Sequence, residues 1–70
     1  MKTPREELLQ GLRELSELFP EWRFGQLVAN VATAARGPRV ESIWDSEDEE
    51  LLAAARRLVE RNRERAQVSA

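Results

Sequence analysis

Two sets of side chains in this sequence have the types and spacing for recognition chemistry. Arg23, Gln26 and Asn30 recur at steps of three and four, so on a helix they line one stripe. A guanidinium and two amides offer directional hydrogen bonds, and the neighbouring Trp22 offers an aromatic anchor at the edge of the stripe. That makes Arg23, Gln26, Asn30 and Trp22 a candidate partner-binding surface, although an exposed polar stripe is also the ordinary wet side of a helix. The second set is Arg57, Arg61 and Arg65, spaced i, i+4, i+8 on one face and able to contact phosphate. Its plain alternative is a solvated charged end.

Other chemistry is poorly supplied. The 70 residues include no cysteine, histidine or tyrosine, which excludes disulfides and the common zinc sites. Ser16, Ser42 and Ser46 have no evident base to activate them. The run DSEDEE at 45–50 carries five acids, but an EF-hand spreads its ligands over about twelve residues around a turn glycine, and that pattern is absent. Acids at a helix N-terminus are explained by the helix dipole. One small domain also leaves little volume for a substrate pocket. The expectation is therefore a non-enzymatic protein with no cofactor, no metal and no small-molecule substrate. A net charge of −2 and a pI near 5.1 make nucleic acid the less favoured partner.

The elements that must position these residues read as helices. Thr3-Pro4 followed by Glu6 is a helix start with a capping box. Leu8, Leu12, Leu15 and Phe19 then recur at helical steps, widened by Leu9 and Leu18, until Pro20 forbids continuation. The second helix centres its apolar face on Phe24, Leu27, Val28, Val31 and Ala35, and Gly37-Pro38 closes it. The loop RGPRVESIW leads to a third helix, where Ser46 and Glu49 match a capping box and Asp45 competes as the cap. Its apolar face is Leu51, Leu52, Ala55, Leu58 and Val59. The spacing predicts an all-α, small three-helix bundle over residues 1–63, with helices at about 4–19, 21–36 and 46–63 and a frayed tail at 64–70.

Two residues invite further assignments. Gly25, with Ala29 and Ala32, reads as a small-residue seam where the second helix packs closely on a neighbour. Its alternative role is to let a partner approach the backbone. Trp44, with Ile43, directly precedes the third helix and reads as a buried hydrophobic staple.

The pattern Arg23-x-Gly25-Gln26-Leu27-x-x-Asn30, followed by Trp44-Asp45-x-Glu47-Asp48-Glu49-Glu50-Leu51, resembles a group of small bacterial proteins, some of them phage-associated. These carry an R-x-G-Q-L-hydrophobic-x-N segment before an acidic helix start. The likeness spans about residues 12–58 and implies a lineage without a mechanism. No apolar run approaches the ~20 residues of a membrane span, and the N-terminus lacks a signal-peptide pattern, so a cytoplasmic protein is expected. The functional expectation is an accessory or regulatory protein that works through protein–protein contact, with a homodimer as one form. The alternative is a nucleic-acid-associated protein using the arginine-rich end of the third helix.

Overall fold

A computed structural model of the chain describes the backbone of residues 1–68 and the side chains of residues 1–64. The described residues are all-α, with four helices in the order α1 (Pro4–Leu18), α2 (Phe24–Arg36), α3 (Val40–Asp45) and α4 (Asp48–Val68).

α1 starts as its sequence requires. Thr3 Oγ1 accepts from Glu6 N–H at 3.2 Å, and Glu6 Oε1 accepts from Thr3 N–H at 3.1 Å. These reciprocal bonds hold the Glu6 carboxylate below its ordinary pKa, the bond to the Thr3 backbone contributing most and its hydroxyl next. α4 is the spine of the molecule, packing mainly on α1 and also on α2. Leu8 and Leu15 of α1, Leu27 and Val31 of α2, and Leu52, Ala54, Ala55 and Val59 of α4 make one buried cluster. Gly11 lets α1 come close to α4, since a methyl group built there would lie 3.5 Å from Ala55 Cβ. Ion pairs cross the same seam: Arg56 to Glu7 at 2.8 Å, Arg5 to Asp48 at 2.9 Å and Arg63 to Glu14 at 3.3 Å. All are largely solvated, so they fix register more than they add stability.

Several expectations are corrected, most of them at the joints. The second helix begins at Phe24 instead of Glu21, because Pro20–Arg23 form a turn in which Trp22 stacks on Phe19 at a 4.2 Å centroid distance. Both rings pack against the core at the corner where the helical pattern had placed Phe24, and Phe24 is left 68% exposed. The expected loop before the last helix contains α3, which packs on α2. The last helix is capped one residue later than the Ser46–Glu49 reading, with Glu47 N–H donating to Glu50 Oε1 at 3.1 Å. It also runs past residue 63 to Val68. A fourth, short helix makes this a modified bundle, and the simple three-helix description is too coarse.

Candidate functional site

Segment 37–47 is where sequence and packing part company. Gly37 has φ 105° and ψ 173°, a region open in practice only to glycine. With Pro38 behind it, the chain leaves α2 sharply and re-enters a helix at Val40. Within α3, Val40, Ile43 and Trp44 are spaced i, i+3, i+4 and share one face, while Ser42 lies roughly opposite. Ser42 is the residue that turns inward, at 3% exposure. Its hydroxyl donates to the Gly37 carbonyl at 2.7 Å, and its own carbonyl accepts from the Ser46 hydroxyl at 2.6 Å. Val40 and Trp44, at 86% and 89% exposure, stand in water, with Ile43 half-exposed beside them. The amphipathic order of α3 is inverted.

Trp44 is therefore a surface residue, which corrects its expected place in the core. The staple reading assumed that the chain at 43–44 enters α4 directly. Instead these residues finish a separate helical turn whose inner position belongs to serine, and nothing remains for the indole to pack beneath.

The segment is held at both ends. Arg36, the last residue of α2, makes a bidentate pair with Glu50 in the first turn of α4, at 2.9 and 3.0 Å. Glu50 Oε1 also accepts from Glu47 N–H. The Arg36 bond first, and then the Glu47 backbone bond, keep the Glu50 carboxyl below its usual pKa. The same pairing raises the Arg36 pKa. α3 is thus carried on a braced excursion, its apolar face already ordered for contact.

The acids around that face are less tied down. Glu41 and Asp45 lie beside Val40, Ile43 and Trp44 along the shallow apolar surface, and Glu47 and Glu49 follow. None of the four makes an ion pair among the described residues. Nor, among those residues, does any group of acids converge as a metal site would need.

Of the set anticipated on α2, Arg23, Gln26 and Asn30 are exposed and Trp22 is turned toward the core. Arg23 is the N-cap of α2, and its N–H donates to Gln26 Oε1 at 2.8 Å. Gln26 therefore has a local structural task. Trp22 is half-buried against Phe19 and faces the core. Arg23, Gln26 and Asn30 are all exposed, with Phe24 beside Arg23. Gly25 is exposed, and a side chain there would meet nothing within 4 Å, so the proposed packing seam is corrected: glycine at 25 serves no contact inside the domain. In the arginine set, Arg57 donates to the Ala34 carbonyl at 3.0 Å, closing α4 onto the end of α2. Arg61 is exposed, and the Arg65 side chain lies outside the described residues.

The α3 face had a signal in the sequence. Val40, Ile43 and Trp44 carry helical spacing inside a stretch read as loop. Their direction was not readable, because only packing shows which side of a six-residue helix faces in.

No family model, curated protein or solved structure matches the chain.

Proposed function

We propose that this is a non-enzymatic accessory or regulatory protein acting through protein–protein contact, and that α3 is its contact element. One observation carries the reading: α3 turns a hydrogen-bonded serine inward and Val40, Ile43 and Trp44 outward. Exposing Trp44 and Val40 and half-exposing Ile43 forgoes roughly 1.5–3 kcal/mol of burial for the valine and about half of that for the isoleucine, which a purely structural helix would recover by turning over. Contiguous exposed apolar surface of this kind marks interaction sites, and tryptophan is the residue most enriched at their energetic centres. The lineage suggested by the Arg23–Asn30 and Trp44–Leu51 segments belongs to the same proposal. For the alternative nucleic-acid reading, Arg57 is engaged with the Ala34 carbonyl and Arg61 is exposed, so the negative net charge is what ranks it second.

The test is site-specific photo-crosslinking in the cells that make the protein, with the reactive group placed at Trp44, at Asn30 and at Ser16. The expected result is a discrete protein adduct from position 44 alone. An adduct from position 30 and none from 44 would return the contact to the α2 stripe. Equal adducts from all three positions would remove α3 from consideration.

A further inference from the structure

We infer that the occupant of the α3 face is a cationic amphipathic helix of a different protein. This rests on the protein-contact reading above and gives it a chemistry. The apolar stripe of Val40, Ile43 and Trp44 is flanked along one side by Glu41 and Asp45, which are spaced i, i+4, and Glu47 and Glu49 follow in the sequence. Residues 36–50 hold two arginines against six acids, a larger negative surplus than the −2 of the whole chain. Arg36, one of those two arginines, is already committed to Glu50. A partner helix with an apolar face and lysine or arginine along its flanks would cover the indole and meet the unpaired carboxylates together.

A second copy of the chain is the obvious competitor, and two observations disfavour it. Apposing two α3 faces antiparallel brings two acidic flanks together, and beside each stripe Arg39 is the one cation among the described residues that makes no ion pair. Like charges across an interface act against association. The surface is also too small for a self-contained symmetric pair, because three side chains on a six-residue helix fall well short of the ~800 Å² that each partner contributes to a standard interface. A longer partner helix can extend past α3 onto the acidic start of α4. A membrane surface is disfavoured by the same acidic flank, which anionic headgroups repel.

The test titrates the full-length chain into two fluorescently labelled synthetic helical peptides that share one leucine face. One peptide is flanked by lysine and the other by glutamate. The lysine peptide should bind at least tenfold more tightly, with affinity falling as salt rises. Trp44→Ala should weaken that binding tenfold or more, and Glu41→Gln with Asp45→Asn should weaken it several-fold and flatten the salt dependence. Circular dichroism melts of each variant confirm that the fold is retained. If the glutamate peptide binds equally well and still needs Trp44, the charge class is overturned while α3 remains a contact site. If lysine-peptide binding ignores Trp44, both the inference and the contact reading fall. Concentration-dependent dimerisation in sedimentation, abolished by Trp44→Ala, would overturn the inference in favour of a second copy.

Discussion

The α1–α4 seam and the α3 excursion solve the same problem in opposite senses. Along the seam, Leu8 and Leu15 meet Leu52, Ala55 and Val59, and charged residues stand outside in cross-helix pairs. On α3 the residue pointing inward is a serine, and the large apolar side chains point into water. The first region is ordered by what the fold needs. The second keeps its backbone ordered through Gly37, Ser42 and the Arg36–Glu50 clamp, yet leaves its side chains unspent. On the proposed reading of α3, stability and recognition are separable, and substitutions in the two regions should have different consequences.

The largest effect is expected in the seam. Leu15 is fully buried, so Leu15→Ala should cost about 2–5 kcal/mol and threaten folding outright in a domain this small. A urea melt followed by circular dichroism reads it. A loss of less than about 1 kcal/mol would mean that the core is not where the structure places it.

Gly37→Ala should come next, at about 1–3 kcal/mol, because alanine cannot easily adopt φ 105°. Its diagnostic consequence is local. Amide exchange should rise in residues 38–46 more than in α1, since the α2–α3 turn is what strains. Uniform acceleration across the chain would show that the excursion and the seam unfold as one unit.

A smaller effect concerns pH. Glu6 and Glu50 have folded-state pKa values lowered from 4.5, so each contributes stability that is present above its unfolded pKa and lost as pH falls through its folded pKa. Acidification through and below about pH 4.5 should therefore lower the melting temperature. Glu50→Gln should lower the melting temperature slightly near neutral pH and remove part of that acid-side slope, so that variant and parent converge in acid. An unaltered slope would indicate that the Arg36–Glu50 clamp is not maintained in solution.

Much of the seam was legible because local signals and packing agree. Thr3, Pro4 and Glu6 announce α1, and its leucines repeat at the period their burial demands. The acids before Leu51 announce α4, with the cap displaced by one residue because Glu50, and not Glu49, reaches back to the Glu47 amide. The candidate site was harder to read. Trp44 looked buried because burial is the usual fate of a tryptophan next to a helix cap, and α3 looked like loop because six residues give too little periodicity to separate from chance. Gly25 was read through the same habit, that an interior glycine serves a neighbouring helix; it stands in the exposed first turn of α2 with open space around it. In both places the missing information was tertiary, namely which side of a helix had a neighbour.

The central claim is that the outward face of α3 contributes nothing needed by the fold. Its most direct test is the thermal melt of the Ile43→Ser, Trp44→Ser double variant beside the parent chain. The account predicts melting temperatures within about 4 °C of each other, corresponding to about 0.5–1 kcal/mol for a domain of this size. A drop of ten degrees or more, or a variant that fails to fold, would mean that Ile43 and Trp44 are buried in solution and that α3 is part of the core after all.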